Sequence, residues 1–105
     1  MVNEAAVFNA LGDVTRLKII KRLSKEKYFT ITQVSVGLDI TRQGARRHLQ
    51  VLEDAELVIL KSQGRDVLVS LNSETLIKAK KFIAMLEEKW DGRLLALKNF
   101  VEEKK

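Results

Sequence analysis

A short stretch near the middle of the chain carries residue types that bind nucleic acid. Between Ile40 and Leu52 there are three arginines and no acidic residue. If this stretch is helical, Ala45, Leu49 and Leu52 share an inner face, and the other side presents Arg42, Gln43, Arg46, Arg47 and Gln50. A guanidinium makes bidentate hydrogen bonds to guanine or phosphate, and a glutamine amide pairs with adenine. The pattern predicts a helix that reads the major groove of double-stranded DNA, although a basic helix taken alone is about as often a solvated face.

The overall composition favours a polyanionic partner and excludes several kinds of site. The 105 residues include 19 Lys and Arg against 14 Asp and Glu, which gives a net charge of +5. There is no cysteine, and the single histidine, His48, falls in the predicted reading helix. Thiolate metal sites, disulfides and cysteine nucleophiles are therefore excluded, as is a multi-histidine metal site within one subunit. Because no nucleophile and base pair stands out, we do not expect an enzyme.

The balance of apolar and charged residues predicts one folded domain, 1–105. Hydrophobic residues make up 46% and charged residues 31% of the chain, which is typical of a globular protein. No apolar run approaches the roughly 18 to 20 residues of a membrane span, and the N-terminus lacks the basic and apolar regions of a signal peptide. We therefore expect a soluble cytoplasmic protein with no membrane partner.

Hydrophobic periodicity and capping residues divide the chain into helices and a hairpin. Asp13 and Thr41 are good N-caps, and Thr30 with Gln33 forms a capping-box pattern. The predicted helices cover 3–11, a stretch from Val14, 30–38 and 42 to about 55, and the predicted strands of the hairpin are 57–60 and 67–71. Two short helices joined by a tight turn indicate a helix-turn-helix motif.

The C-terminal stretch, 73–105, predicts a long helix with an apolar stripe. Apolar residues recur there at steps of three or four, and the stripe is longer than a small core can cover. We therefore expect a second subunit to cover it. The residues predicted at the interface of this homodimer are Phe8, Ile83, Leu86, Trp90, Leu94, Leu97 and Val101. Whether the helix breaks at Asp91 and Gly92 is open.

The order of elements is that of a winged helix-turn-helix domain, mainly α with a small β-hairpin, with a core at 1–72 and a dimerisation helix at 73–105. Residues 10–20, ALGDVTRLKII, resemble the opening signature of ArsR-type transcriptional repressors. Residues 47–58, RHLQVLEDAELV, resemble the recognition helix and strand entry of that family, and Gly64 with Arg65 resembles its wing. The resemblance runs from about Val7 to Leu71 in the expected order.

The resemblance implies a homodimeric, sequence-specific repressor that binds an inverted-repeat operator. The residues expected to contact DNA are Thr41, Arg42, Gln43, Arg46, Arg47 and Gln50 from the recognition helix, and Lys61, Ser62, Gln63 and Arg65 from the wing. The alternative is a winged helix that docks a protein or binds nucleic acid without operator specificity. A preference for one duplex sequence over random DNA distinguishes the two.

Departures from the family pattern bear on sensing. The family is best known for metal sensors that use cysteines before the recognition helix or Asp and His pairs on the C-terminal helix. This chain has no cysteine in 28–38 and no histidine in its C-terminal helix, so we expect no metal and no cofactor. Carboxylates such as Glu87, Glu88 and Asp91 are more often a solvated face. Any inducer is open, and Glu56 stands where a glycine commonly ends the recognition helix.

Overall fold

The computed structural model describes residues 3–103, which form helices and one small sheet. The helices are α1 (Glu4–Leu11), α2 (Val14–Leu23), α3 (Ile31–Ser35), α4 (Arg42–Asp54) and α5 (Ser73–Glu103), and the strands are β1 (Phe29–Thr30), β2 (Val58–Gln63) and β3 (Asp66–Leu71). This is the predicted winged helix-turn-helix: α3 and α4 form the motif, and β2 and β3 form the wing. Residues 1, 2, 104 and 105 of the predicted domain lie outside the described residues, and the division at 72 stays a prediction.

The predicted helix caps are confirmed. Asp13 accepts a hydrogen bond from the backbone N–H of Arg16 at 3.0 Å, which starts α2. Thr30 and Gln33 form the complete capping box, with the Thr30 hydroxyl accepting from the Gln33 N–H and the Gln33 side chain accepting from the Thr30 N–H. Each cap satisfies N–H groups that a helix leaves without partners at its N-terminus, so local chemistry fixes where these helices begin.

The sheet has one strand more than the sequence predicts. Its order is β1, β3, β2, and both pairings are antiparallel. β1 was not predicted because it is two residues long and pairs only Phe29 with Val69 and Thr30 with Leu68. The hairpin is also longer than predicted. Its strands run through the polar segment 61–66 and leave only Gly64 and Arg65 as the turn.

The core lies between the helix-turn-helix and the inner face of the sheet. Its fully buried side chains come from most elements, which fixes α4 against the rest of the domain: Val7, Ile19, Leu23, Val34, Ala45, Leu49, Leu52, Leu57 and Val69. Burial of this apolar surface is the main force that holds the elements together.

The short helix α3 ends earlier than predicted. It stops at Ser35, whereas the sequence predicts a helix through Leu38. The helix breaks at Val36, whose ψ of 125° lies outside the helical region, and Gly37 follows with a left-handed φ of 75°. The turn between α3 and α4 therefore begins at Val36, which caps α3 with an extended backbone.

The C-terminal helix α5 is continuous through Asp91 and Gly92, so the possible break at these residues is not found. Its 31 residues make a rod of about 46 Å, in a molecule 70 Å long and 28 Å wide. Within the described chain, every residue from Ile83 to Glu103 is exposed. Among the described helices, none has the length and apolar character needed to cross a membrane.

Two residues after the end of α4, the chain adopts a left-handed backbone conformation. Glu56 has a φ of 62°, although its backbone is well bonded. Its N–H donates to the carbonyl of Glu53 at 2.8 Å, and its carbonyl accepts from the hydroxyl of the buried Thr75 at 2.5 Å. Thr75, in the first turn of α5, therefore bonds to a residue whose backbone conformation disfavours a side chain with a Cβ.

We expect Glu56→Gly to raise the free energy of unfolding by about 1 kcal/mol, because a glycine relieves the left-handed strain. Urea denaturation followed by circular dichroism measures this change. Glu56→Ala is the matched control, since it removes the carboxylate and keeps the Cβ. Equal stability of the two variants would contradict the interpretation.

Candidate nucleic-acid interface

The recognition helix α4 rests on the core through the inner face that the sequence predicts. Ala45, Leu49 and Leu52 are fully buried. At its N-terminus the Thr41 hydroxyl accepts from the Gly44 N–H at 2.9 Å, as the cap prediction requires. The side of α4 opposite this face, with Gln43 and Arg47, is exposed.

The cations of α4 lie in its N-terminal half. Arg42, Gln43, Arg46 and Arg47 are all exposed. At 100° per residue, Gln43 and Arg47 lie almost opposite the buried face, whereas Arg46 faces the cleft beside the wing. The N-terminus of a helix adds a partial positive charge, so the first two turns of α4 form the part of this helix best suited to an anion.

The C-terminal end of α4 has a different character. Gln50 donates through its side-chain amide to Asp54 at 2.9 Å and to Glu53 at 3.3 Å. These bonds engage its N–H groups and leave the carbonyl oxygen as an acceptor. Two carboxylates at this end disfavour phosphate, so the polarity of the helix favours entry of its N-terminal half into a groove.

The wing projects as a two-stranded ribbon with a tight turn. Gln63 pairs with Asp66 across Gly64 and Arg65, and Gly64 has a φ of 61°, which suits glycine in a two-residue hairpin turn. The four predicted wing residues are exposed: Lys61, Ser62, Gln63 and Arg65.

The structure brings only part of the predicted set together. Arg46, Gln50 and Ser62 line one cleft of about 270 Å³ between α4 and the wing, together with Ile31, Leu49, Glu53, Leu60 and Val67. Lys61 and Gln63 instead line a depression on the other face of the hairpin, beside Tyr28 and Leu68, because side chains alternate along a strand. One face of the wing thus lines a cleft with α4, and its other face lines a depression to which α4 does not contribute.

A polar cluster fixes α4 to the junction of α1 and α2. Arg16 donates from Nε to the carbonyl of Ala10 at 2.7 Å and lies 3.5 Å, through Nη1, from Nδ1 of His48. The Asp13 carboxylate is 3.9 Å from the same imidazole nitrogen. The backbone hydrogen bond from Arg16, aided by the charges of Arg16 and His48, lowers the pKa of Asp13 below its ordinary value of 3.8. Arg16 therefore links the end of α1 to the flank of α4 on which His48 lies.

The residues predicted at a subunit interface lie along α1 and α5. The centroids of the Phe8 and Phe82 rings are 5.8 Å apart. The half-buried Phe82 was not predicted at the interface because it lies beside the main apolar stripe of α5. The other six predicted residues are exposed on α5: Ile83, Leu86, Trp90, Leu94, Leu97 and Val101. The stripe is thus present on the surface of the described chain.

The acidic residues of α5 do not gather into a metal site. Within residues 3–103, no group of three or more His, Asp or Glu side chains is placed to hold a metal ion. Glu87, Glu88 and Asp91 are exposed on the helix, as expected for a solvated face.

Comparisons with known proteins identify the family. A profile for a helix-turn-helix domain matches residues 11–60. The uncharacterised HTH-type transcriptional regulator YuzN of Bacillus subtilis (strain 168) is 40% identical over 80 residues, which are 70% of this chain and 87% of that protein. The structure of an ArsR-like transcriptional regulator from Rhodococcus sp. RHA1 superposes with a TM-score of 0.80 at 29% identity, over 92% of this chain and 91% of that one. The chain belongs to the ArsR-type winged helix-turn-helix regulators.

A further solved structure, that of an ArsR family transcriptional regulator, has the same fold. Its TM-score is 0.77 at 24% identity, and the match covers 87% of this chain and 97% of that one. Membership in this family shows that the present chain, with residues 11–60 matching the helix-turn-helix profile, is a DNA-binding transcription factor and not an enzyme. The resemblance inferred from the sequence motifs is confirmed.

The Asp13 cluster predicts an acid-dependent loss of stability. Because the folded state lowers the pKa of Asp13, the carboxylate stabilises the fold above its unfolded pKa, and this contribution disappears as the pH falls through the folded value. We expect the stability advantage of the wild type over Asp13→Asn to shrink as the pH falls from about 6 to below 3.8.

Urea denaturation of both proteins across this pH range measures the effect. The asparagine keeps an acceptor for the Arg16 N–H and does not titrate, so it isolates the charge. A difference in stability that stays constant with pH would show that Asp13 acts only as a neutral cap.

Proposed function

We propose that this ArsR-type regulator is a homodimeric repressor that binds an inverted-repeat operator. The observation that carries the proposal is the exposed apolar stripe of α5, which begins within the folded domain and continues beyond it. The proposal includes the cytoplasmic location expected from the sequence, because a DNA-binding regulator must share a compartment with its operator.

The stripe favours a second copy as its cover. Its first residues, Leu76 and Ala79, pack against the core of their own domain, whereas Leu86, Trp90 and Leu94 further along are exposed. Trp90 leaves 58% of its surface exposed. A contiguous apolar face of this length is typical of a protein interface.

Charges beside the stripe support an antiparallel pair of α5 helices. Glu87 and Lys98 are eleven residues apart, which places them on the same side of the helix within about 20°. When two antiparallel copies cross midway between these positions, Glu87 of each copy lies opposite Lys98 of the other. The same side chains thus offer two symmetric ion pairs at the edge of the apolar seam.

A two-fold dimer dictates the form of the DNA site. Two recognition helices related by such an axis meet half-sites of opposite orientation, about 34 Å apart, which is one turn of the duplex. Within each half-site we assign base reading to Gln43 and Arg47, and contact with the sugar-phosphate backbone to Arg46 in the cleft beside Ser62. Thr41, Arg42 and Gln50, with Lys61, Gln63 and Arg65 of the wing, complete the proposed contacts. Occupancy of such an operator would exclude polymerase, which is the basis of repression.

The function is tested by selection of genomic fragments with the purified protein near physiological salt. Affinities are then measured for the enriched duplex and for a shuffled duplex of the same composition. We expect an inverted repeat that is bound roughly 10³-fold more tightly than the shuffled control. Equal and steeply salt-dependent binding to both duplexes would overturn the proposal in favour of a module without operator specificity.

Arg46 and Arg47 form a matched pair of adjacent arginines with different assigned roles. We expect Arg47→Ala to weaken operator binding by about 1 to 3 kcal/mol and to relax the preference at one base pair. We expect Arg46→Ala to weaken binding to operator and shuffled duplex alike and to reduce the salt slope by about 1. Fluorescence anisotropy titrations at several salt concentrations measure both effects. Loss of base preference in the Arg46 variant alone would reverse the assignment.

The dimer is tested by Trp90→Ala. Removal of a large apolar side chain from the interface lowers the free energy of association by about 1.5 to 3 kcal/mol, because that apolar surface is no longer buried. The dissociation constant of the dimer should therefore rise at least about tenfold. Sedimentation equilibrium measures this constant. Met85→Ala is the control, because Met85 is comparably exposed on α5 but lies away from the stripe. Equal constants for wild type and the Trp90 variant would refute the assigned interface.

A further inference from the structure

The C-terminal end of α3 lacks the usual means of satisfying its carbonyl groups. The helix has five residues and ends at Ser35, and Val36 follows with a non-helical ψ of 125°, so the last carbonyls of α3 have no partner within the helix. The carbonyl of Ser35 accepts from the Leu38 N–H at 3.2 Å, and that of Thr32 accepts from the Ser35 hydroxyl at 2.9 Å. The other carbonyls at this end need donors from elsewhere.

Arg22, on α2, supplies these donors. Its Nη1 donates to the carbonyls of Gln33 at 3.2 Å and Val34 at 2.8 Å, and it also donates to the carbonyl of Val36. A guanidinium at this place brings a positive charge to the negative end of the helix, and charge-assisted hydrogen bonds are stronger than neutral ones. The half-buried Arg22 thus acts as the C-terminal cap of α3.

The segment that Arg22 holds is the turn of the helix-turn-helix. Gly37 has a φ of 75° and Asp39 a φ of 55°, so two left-handed residues reverse the chain before α4. The Nη2 of Arg22 is 3.9 Å from the position that a Cβ on Gly37 would occupy, which places the guanidinium against this turn. Residues in left-handed conformations persist where their surroundings fix them.

We propose that Arg22 is a positioning residue for DNA recognition: it fixes the turn between α3 and α4 from α2 and so holds the N-terminal half of α4 in the orientation that a groove requires. The inference deepens the proposed function and rests on it for its DNA readout. If only a fraction of molecules holds the competent orientation, the apparent affinity falls in proportion to that fraction.

The test compares three variants in the full chain. Arg22→Met removes the donors and keeps an apolar stem, Arg22→Lys restores a cation with N–H donors, and Lys21→Met removes a charge from the neighbouring exposed position of α2. Amide hydrogen exchange of residues 36–41 reports the order of the turn. Binding to the duplex selected by the wild type, and to its shuffled control, reports recognition.

We expect Arg22→Met to speed exchange in 36–41 at least tenfold and to weaken binding to the selected duplex about tenfold, with little effect on the shuffled duplex. Arg22→Lys should recover binding to within about threefold of the wild type, and Lys21→Met should leave exchange in the turn unchanged. The recovery by lysine separates a role of the donors from a loss of folding.

Unchanged exchange in Arg22→Met would overturn the proposal, as would faster exchange with full affinity for the selected duplex. If Arg22→Met does not fold, a lysine variant that folds with a disordered turn and unimpaired recognition would also overturn it. If the wild type itself does not discriminate between the duplexes, the proposed function fails, and exchange in 36–41 alone decides whether Arg22 holds the turn.

Discussion

The proposed assembly depends on an apolar stripe that continues along α5 beyond the residues that the chain's own core covers. On α5, Leu76 and Ala79 are covered by the chain's own core, but from Ile83 to Val101 the stripe is exposed within the described residues. This exposed part spans about 27 Å of helix. Contact of so much contiguous apolar surface with water is unfavourable, and a second copy offers the same stripe in return. The proposed two-fold axis, and with it the form of the operator, follows from this one constraint.

The recognition helix can expose its cations because polar contacts from other elements support it. Arg16 connects the end of α1 to His48 on the flank of α4. Arg22 bonds to the carbonyls at the end of α3, and Thr75 of α5 bonds to the carbonyl of Glu56 just after α4. Through the last of these contacts, the helix proposed to form the dimer also borders the helix proposed to read DNA. These contacts are made on the flank of α4, in the segment before it and just after it. The face of α4 opposite the core is therefore left exposed.

Local signals in the sequence predicted most of the fold. The caps at Asp13, Thr30 and Thr41 act within four residues, and the inner face of α4 follows from helical periodicity alone. The strand β1 escaped prediction because two residues carry no periodicity, and its existence depends on β3, some forty residues away. The contacts of Arg22 were not predicted for a related reason. Its acceptors are backbone carbonyls, and the type of a residue does not reveal which carbonyls need a donor. The separation of Lys61 from Ser62 by the alternation of β2 became clear only when the extent of that strand was known.

The central claim, that paired α5 helices hold two recognition helices at a fixed separation, is tested most directly by the spacing of the half-sites. Affinity is measured for the selected operator and for versions with two or five base pairs inserted at its centre. A rigid two-fold dimer predicts a loss of at least about tenfold for each insertion, because both the distance and the rotational phase of the second half-site change. Equal affinity for all three duplexes would contradict the account and show that each recognition helix binds DNA independently.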